Sequence, residues 1–344
     1  MIGRHCLAFF VKAIGDVFIQ MSDSKNIRVA IIGCGYWGKN LVRDFHSLGT
    51  LAAISDSDPE TATAIAEKYG VKALEVDEIL ADDDVDGIVI AAPAEYHANL
   101  ALKGFAAGKH VYVEKPISLS LEDAEKMIAA SEEADRILMV GHLLQYHPVF
   151  LKLKKMVADG ELGNLRYIYS RRLSLGKLRT AENVLWSFAP HDISMILTLA
   201  GEEPDNVHGI AGSYLQDKIS DFASVHMSFP NGIQAHVDTS WLNPFKEQRL
   251  VVIGDKGMVE FCDSEPEWEN KLKLYRHKAY ITDGMPSVEK AEPELIKVEQ
   301  DNPLLNECRH FIKFIANNET PFTDGHEALA VLKVLRAGDS TGDN

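Results

Sequence analysis

Two different patterns of hydrophobic residues divide the chain near residue 146. From Ile27 to about Val140, short uninterrupted apolar runs alternate with stretches in which apolar residues recur every three or four positions. The uninterrupted runs predict strands buried on both faces, and the second pattern predicts amphipathic helices. Regular alternation of the two predicts an α/β domain in which helices cover both faces of a parallel sheet.

Beyond residue 146 the pattern changes to alternation of polar and apolar residues, which predicts a mainly antiparallel sheet with one exposed face. One helix, beginning at His191, interrupts these strands, and the chain ends in helical segments. We therefore predict a first domain at 27–146, a second, α+β domain at 147–337 and a short tail at 338–344.

The first 26 residues fit neither pattern. Lys12 and Asp16 interrupt an apolar run that is too short to span a bilayer, and no small-residue cleavage site follows it. We interpret residues 1–26 as an N-terminal extension, with Met21 as an alternative start of the chain. A signal peptide is the other interpretation.

Charge and cysteine content narrow the classes of partner. The 344 residues carry a formal net charge of −16, which argues against nucleic acid or an anionic membrane as the main partner. The four cysteines form no Cys-x-x-Cys pair, which is more typical of reduced thiols in the cytoplasm than of disulfides or a zinc site. We therefore expect a cytoplasmic protein that needs no metal and acts on a small molecule.

Three glycines follow the first predicted strand. Gly33-x-Gly35-x-x-Gly38 leads into a predicted helix, the arrangement in which glycines permit a tight turn and let backbone N–H groups approach a pyrophosphate. The second predicted strand ends in Asp56, 18 residues after Gly38, where a carboxylate accepts hydrogen bonds from the adenosine ribose. Because a carboxylate there repels a 2′-phosphate, we predict NAD rather than NADP. The predicted cofactor-binding set also includes Tyr36 and Trp37, inside the turn.

A longer segment carries a more specific resemblance. In "AAPAEYHANLALKGFAAGKHVYVEKPIS" (residues 91–118), a Pro-x-x-x-His turn formed by Pro93 and His97 precedes a Gly-Lys-His-Val run and Glu114-Lys115-Pro116. This combination resembles the glucose–fructose oxidoreductase / inositol dehydrogenase (Gfo/Idh/MocA) family. The resemblance implies a Rossmann first domain, and a second domain whose open-faced sheet carries the substrate site and, commonly, the oligomer interface. It adds Pro93, His97, Glu114 and Lys115 to the cofactor-binding set.

Lys115 is the first predicted catalytic residue. It follows a predicted parallel strand, at the carboxyl end where ligands bind in open α/β sheets. A lysine there can hydrogen-bond the reacting hydroxyl and stabilise charge as the hydride leaves. In the family that this chain resembles, the peptide bond before the proline at the position of Pro116 is often cis.

His191 is the second predicted catalytic residue, because an imidazole at the start of a helix can accept the proton of an alcohol. Many members of the family read Asp-x-Gly-x-His at this place. Here Ser187 occupies the position of the acid, Pro190 directly precedes the histidine and Asp192 follows it. Asp192 either orients the imidazole or caps the helix, and we include it among the substrate-binding residues.

Basic residues gather just before this histidine, in an otherwise acidic chain. They can bind a diphosphate or a sugar carboxylate, although a solvated charged loop is the alternative interpretation. A second candidate segment, "GHLLQYHP", occupies the crossover between the domains. The predicted substrate-binding residues in these two segments are Gln145, Tyr146, Arg171, Arg172, Lys177 and Arg179.

The resemblance is greatest to family members that oxidise nucleotide-linked amino sugars in surface-polysaccharide synthesis. It implies an NAD(P)-dependent sugar dehydrogenase, with NAD as cofactor, that oxidises C3 of a UDP-N-acetylhexosamine or of its uronic acid. Two alternatives remain open: a dehydrogenase for a free sugar or inositol, and a cofactor-binding regulatory or scaffold protein that has lost catalysis. A homo-oligomer, dimer or tetramer, is expected because an open sheet leaves a face to cover.

Overall fold

The computed structural model describes residues 27–176 and 178–340. The predicted extension at residues 1–26, Lys177 and residues 341–344 of the predicted tail lie outside the described residues. The described chain forms two compact units, one of residues 27–146 and 302–332, the other of residues 147–301 and 333–340.

The first unit is built on a six-stranded sheet in which every pairing is parallel. Its strand order, β3-β2-β1-β4-β5-β6, reverses direction at β1, as in a doubly wound Rossmann sheet. All side chains of the two central strands β1 and β4 are buried, which confirms the prediction from their uninterrupted apolar runs. The strands are β1 (Val29–Ile32), β2 (Leu51–Ser55), β3 (Lys72–Ala73), β4 (Gly87–Ile90), β5 (His110–Val113) and β6 (Leu138–Val140).

Helices connect these strands, and two of them begin with a side chain that caps the first turn. Asp58 accepts a hydrogen bond from the N–H of Glu60, and Ser120 accepts one from the N–H of Asp123. The helices are α1 (Gly38–Ser47), α2 (Pro59–Tyr69), α3 (Val76–Ala81), α4 (His97–Ala106) and α5 (Leu121–Glu133), with 3₁₀ turns at Ala94–Tyr96 and Leu143–Tyr146.

The second unit contains an eight-stranded sheet with the order β16-β13-β12-β11-β7-β10-β9-β8. Only the pairing of β7 with β10 is parallel, so the predicted mainly antiparallel sheet is confirmed. A separate hairpin, β14 with β15, was not predicted. The strands are β7 (Leu165–Leu175), β8 (Asn206–Gly212), β9 (Phe222–Ser228), β10 (Gln234–Ser240), β11 (Leu242–Gly254), β12 (Met258–Cys262), β13 (Leu272–Tyr275), β14 (Lys278–Thr282), β15 (Met285–Glu289) and β16 (Glu294–Leu295).

Three helices precede or interrupt this sheet: α6 (Pro148–Ala158), α7 (Val184–Phe188) and α8 (Pro190–Ala200). Both α7 and α8 pack on β10, while α8 also packs on β7. The sequence predicted only the longer of the two. Because Pro190 lacks an N–H group, the α7 segment stops before it and α8 begins at the proline.

The last helices of the chain are α9 (Pro303–Asn317) and α10 (Gly325–Gly338). The sequence pattern predicts that α9 lies in the second domain, whereas residues 302–332 belong to the first unit. Its buried face, including Cys308 and Phe311, packs in one core with Phe45 and Tyr112. The amphipathic pattern predicts that this helix covers a sheet, but not which sheet. None of the helices described here is long and apolar enough to cross a membrane.

Strand β7 separates its two adjacent arginines onto opposite faces. On one face, two side chains bind the carboxylate of Asp192 in α8. Nε of Arg172 donates to its Oδ2 at 2.5 Å, and Oγ of Ser170 donates to its Oδ1 at 2.5 Å. On the other face, Arg171 lies 3.7 Å from Asp238 of β10 and remains 46% exposed. The first ion pair is therefore buried and the second is solvated.

This difference predicts unequal stabilities for two matched variants. Asp192→Ala leaves the buried Arg172 without its counter-charge, so we expect the free energy of unfolding to fall by about 3–5 kcal/mol. Arg171→Ala removes an exposed pair and should cost less than about 1 kcal/mol. Urea unfolding followed by circular dichroism measures both, and equal losses in the two variants would contradict this assignment.

Candidate active site

The three glycines of the first turn have different neighbours. Gly33 has a φ of +96°, and a Cβ placed on it would lie 2.7 Å from the backbone of Ala91. A Cβ on Gly38 would lie 2.0 Å from the carbonyl oxygen of Gly33, whereas one on Gly35 would meet no atom within 4 Å. Gly33 and Gly38 are therefore required by packing. Gly35 leaves the backbone open at the N-terminus of α1, as a pyrophosphate site requires.

Asp56 lies directly after β2 and is anchored to the same turn. Its Oδ2 accepts the N–H of Cys34 at 2.6 Å and its Oδ1 accepts the N–H of Asp58 at 2.9 Å. Burial, and then the charge of Asp56, raise the pKa of the Cys34 thiol to about 12, so this cysteine is neutral at physiological pH. The carboxylate stands at the strand end where an adenosine ribose binds, and the donor set fits NAD.

His97 supports the site from within the protein. The ring is 1% exposed, and its two nitrogens lie 2.9 Å from the carbonyl oxygens of Ala92 and Pro116. It thereby links the segments that follow β4 and β5, and burial lowers its pKa. Protein atoms cover the ring, so its described contacts support the site from behind, and a direct contact with the cofactor stays a prediction. Pro93, at the start of the same turn, is exposed.

The carboxylate of Glu114, at the end of β5, is the best-connected group of the site. Its Oε1 accepts the indole N–H of Trp37 at 2.6 Å and the hydroxyl of Tyr112 at 3.2 Å, and its Oε2 accepts the backbone N–H of Lys115 at 3.2 Å. A Cβ on Gly141 would lie 3.0 Å from both carboxylate oxygens, so a glycine closes the remaining side. These contacts join the glycine turn, through Trp37, to the predicted catalytic lysine.

Burial raises the pKa of Glu114, while the Trp37 hydrogen bond and the charge of Lys115 oppose this rise. Lys115 itself is half-buried, and its peptide bond to Pro116 is cis, as the resemblance implied. Tyr36, next to Trp37, is exposed. The sequence thus correctly indicated the strand end that gathers these groups, but it did not indicate Tyr112 or Gly141.

In the second unit, His191 is the second residue of α8 and is half-buried. The adjacent Asp192 is 1% exposed and turns toward β7, where it holds Arg172 and Ser170. Burial works to lower the pKa of Arg172, but the charge and hydrogen bond of Asp192 keep it above its ordinary value. Asp192 and Arg172 therefore fasten the first turn of α8 and hold its histidine in place.

A different carboxylate lies next to the position of the missing acid. The buried Ser187 donates a hydrogen bond from Oγ to Oε1 of Glu182 at 3.1 Å. The same Oε1 lies 3.4 Å from Nε of Arg179. No sequence pattern singled out Glu182, because it lies in an irregular segment before α7.

The predicted basic cluster is not assembled as one surface. Arg171 and Arg172 fall within β7, where alternation of side chains sends them to opposite faces. Arg172 is occupied by Asp192, and Arg179 pairs with Glu182. Lys177 is outside the part of the chain described. Each of the three described arginines is therefore paired with a carboxylate, and binding of an anionic group by the whole set remains a prediction.

Tyr146 and Gln145 are likewise not placed to bind a substrate. Tyr146 is 3% exposed, belongs to the core of the first unit, and shares a 2.8 Å hydrogen bond with Thr323. Gln145 is 2% exposed. The 3₁₀ turn that contains both residues packs against α9, and this long-range contact buries them. Among residues 27–176 and 178–340, no three histidine, cysteine or acidic side chains converge as a metal site would require.

Comparisons with known proteins agree with the fold of both units. A family model described as "Oxidoreductase family, NAD-binding Rossmann fold" matches residues 27–142, and one described as "GFO/IDH/MocA C-terminal domain" matches residues 150–260. The chain is 28% identical to UDP-N-acetylglucosamine 3-dehydrogenase of Acidithiobacillus ferrooxidans, over 89% of this chain and 94% of that protein. It is 30% identical to inositol 2-dehydrogenase of Rhizobium meliloti, over 70% and 77%.

A solved structure shows the same fold across almost the whole length. The UDP-N-acetylglucosamine 3-dehydrogenase from Acidithiobacillus ferrooxidans superposes with a TM-score of 0.80 and 26% identity, covering 92% of this chain and 99% of that one. The similarity thus extends through both units.

The glycine turn yields a paired prediction. Gly35→Ala places a methyl group where no protein atom lies within 4 Å, so we expect unchanged thermal stability but weaker NADH binding, because the methyl group blocks the approach of the pyrophosphate. Gly38→Ala forces a methyl group against a backbone carbonyl and should destabilise the protein by about 1–3 kcal/mol.

Differential scanning fluorimetry with and without NADH separates the two effects. A Gly35→Ala variant that binds NADH as tightly as the unaltered protein would contradict the proposed cofactor position.

Proposed function

Because the chain belongs to the GFO/IDH/MocA oxidoreductase family and carries its NAD-binding Rossmann domain, we propose that it oxidises a secondary hydroxyl of a nucleotide-linked N-acetylhexosamine to a ketone. The reacting carbon is proposed to be C3, and the sugar a UDP-N-acetylhexosamine or its uronic acid. The product, a 3-keto sugar, would serve surface-polysaccharide synthesis.

One observation carries this proposal: Lys115 is the second residue after β5, and the Glu114 carboxylate ties its backbone to Trp37 of the glycine turn. The backbone of this lysine is thus held at the carboxyl ends of the parallel strands, where ligands bind in open α/β sheets. The side chain is half-buried, which strengthens its interaction with a developing negative charge on oxygen.

Oxidation of an alcohol removes a hydride from the carbon and a proton from the hydroxyl. When NAD is bound, its nicotinamide ring accepts the hydride. The open backbone at Gly35 and the start of α1 would hold the pyrophosphate, and Asp56 the ribose. We propose that Lys115 hydrogen-bonds the reacting oxygen and that His191 accepts its proton.

Similarity to known proteins supports the sugar class. The Acidithiobacillus relative named for UDP-N-acetylglucosamine matches nearly the full length of both chains.

A second candidate, oxidation of a free sugar or inositol, is favoured by a specific feature. Arg171 and Arg172 point to opposite faces of β7, so they do not form the anionic-group site that a nucleotide diphosphate would use. The Rhizobium meliloti inositol 2-dehydrogenase is also a relative of comparable identity. The substrate test must therefore include both classes.

We further propose that copies of the chain associate as a dimer or tetramer in the cytoplasm. The rings of Tyr169, His236 and His226 stack across three strands of the eight-stranded sheet. They lie on the face opposite to the one on which Ser170 and Arg172 bind Asp192 of α8. The free cysteines among the described residues suit a reducing compartment. Light scattering should give a molar mass of two or four chains, and a single-chain mass would contradict the association.

The activity is tested by incubating cofactor-stripped protein and NAD with UDP-N-acetylglucosamine, its uronic acid, glucose and myo-inositol in parallel. We expect reduced nicotinamide to appear only with a UDP-sugar. Lys115→Ala and His191→Ala should each lower kcat by about 100- to 10,000-fold, as removal of an acid–base group does. Lys103→Ala, an exposed lysine on α4, is the matched control and should not change kcat.

A rise with glucose or inositol alone would contradict the nucleotide-sugar proposal and support the second candidate. Undiminished activity in Lys115→Ala would contradict the proposed catalytic role. No turnover with any sugar, together with intact NADH binding, would favour a regulatory or scaffold protein that has lost catalysis.

A further inference from the structure

A buried acid, Glu307, interacts electrostatically with Glu114 and has no role in the chemistry proposed above. Glu307, on α9, has no exposed surface, and within the described residues neither of its carboxyl oxygens makes a well-formed hydrogen bond, although the hydroxyl of Tyr112 lies close enough to interact with the carboxyl group. An ionised carboxylate in such surroundings is strongly disfavoured. Its place on the helix explains the burial, since it is three residues after Leu304 and four before Phe311, both of them core residues.

Two groups affect the pKa of Glu307: Tyr112, on strand β5, and Glu114, the residue that follows this strand. The charge of Glu114 and burial raise the pKa of Glu307 well above its ordinary value, and burial is the larger cause. The nearby hydroxyl of Tyr112 opposes the rise. Burial and these two carboxyl groups also raise the pKa of Tyr112.

Other titratable groups face Glu307 from two further elements and from its own helix. Burial and then Glu307 raise the pKa of Tyr146, in the 3₁₀ turn after β6. Burial and then Glu307 likewise raise the pKa of Cys308, the next residue of α9. On α1, Asp44 and Arg43 form an ion pair and act on Cys308 with opposite signs.

The hydrogen bonds around Glu114 and Glu307 indicate which of the two acids carries the charge. Glu114 accepts three hydrogen bonds, from Trp37, Tyr112 and the backbone of Lys115, so a negative charge there is stabilised. Because the Tyr112 hydroxyl gives its proton to Glu114, its oxygen can only accept from a further neighbour. A carboxylate cannot donate, but a carboxylic acid can.

We propose that Glu307 is a positioning residue that stays protonated in the folded protein and, through Tyr112, leaves Glu114 as the only charged carboxyl beside Trp37 and Lys115. The kinetic part of this inference rests on the proposed function. The parts that concern protonation and NADH binding do not.

The proposal has a definite consequence for stability against pH. In the unfolded chain Glu307 ionises near the ordinary glutamate pKa, whereas in the folded protein it keeps its proton to a higher pH. The folded state therefore loses stability relative to the unfolded state as pH rises from the first pKa to the second. Within that interval the unfolding equilibrium constant rises by up to about tenfold per pH unit on account of this group.

Glu307→Gln removes the titration and keeps the shape of the neutral acid. We expect the urea midpoint of the variant, relative to that of the unaltered protein, to increase steadily as the pH is raised from acid to neutral. Glu133→Gln, an exposed glutamate at the end of α5, is the matched control and should show a difference independent of pH. A pH-independent difference for Glu307→Gln as well would overturn the proposal.

A measurement on the unaltered protein covers the case in which Glu307→Gln does not fold. In protein labelled with ¹³C at glutamate side-chain carboxyls, one resonance should keep the chemical shift of a neutral acid at neutral pH and persist in Glu114→Gln. If every glutamate resonance in the unaltered protein shows an ionised group at neutral pH, the proposal is wrong. If the neutral resonance disappears in Glu114→Gln, the proton belongs to Glu114 and the proposal is also wrong.

The pH dependence of NADH binding distinguishes a positioning role of Glu307 from a role in packing alone. At alkaline pH, ionisation of Glu307 adds a second charge near Glu114, so NADH affinity of the unaltered protein should fall at the alkaline end of its pH profile. Glu307→Gln should bind NADH equally well at neutral pH and lack that decline. An identical decline in both proteins would overturn the positioning role, whether or not any sugar is oxidised.

Discussion

The carboxylate of Glu114 is the constraint on which the site depends. A buried negative charge is tolerated only where donors surround it, and here the donors come from three separate places: the indole of Trp37, the hydroxyl of Tyr112 and the backbone of Lys115. The hydrogen bonds to the Glu114 carboxylate fix the position of the glycine turn relative to the end of β5. They also fix the backbone of the lysine proposed to do the chemistry. Gly141 leaves the space in which the carboxylate fits.

The second unit obeys a different constraint, the two-residue period of a strand. That period turns Arg172 toward α8 and Arg171 away from it, so two adjacent arginines have unrelated roles. The buried one is neutralised by Asp192, which thereby fixes the helix turn that carries His191. Arg172, which the sequence suggests as a ligand-binding residue, instead holds part of the fold together, whereas Arg171 forms a solvated ion pair.

Local patterns predicted most of the fold and the position of the glycine turn. The roles of Gly33, Gly38 and Asp56 follow from a strand, a turn and a helix that are contiguous in the chain, and the cis bond before Pro116 followed from a family resemblance. The burial of Tyr146 could not be predicted, because it depends on α9, more than 150 residues further along. The sequence does contain a sign that Glu307 is unusual, because it is an acid on the apolar face of an amphipathic helix. Its partners became visible only when the helix was placed against β5.

The central claim is that this chain removes a hydride from a sugar carbon and passes it to NAD. The most direct measurement uses UDP-N-acetylglucosamine carrying deuterium at C3, with mass spectrometry of both products. The account predicts one deuterium in the reduced cofactor and none in the 3-keto sugar. Reduced cofactor without deuterium would place the reaction at another carbon, and complete recovery of labelled substrate would contradict the claim for this sugar.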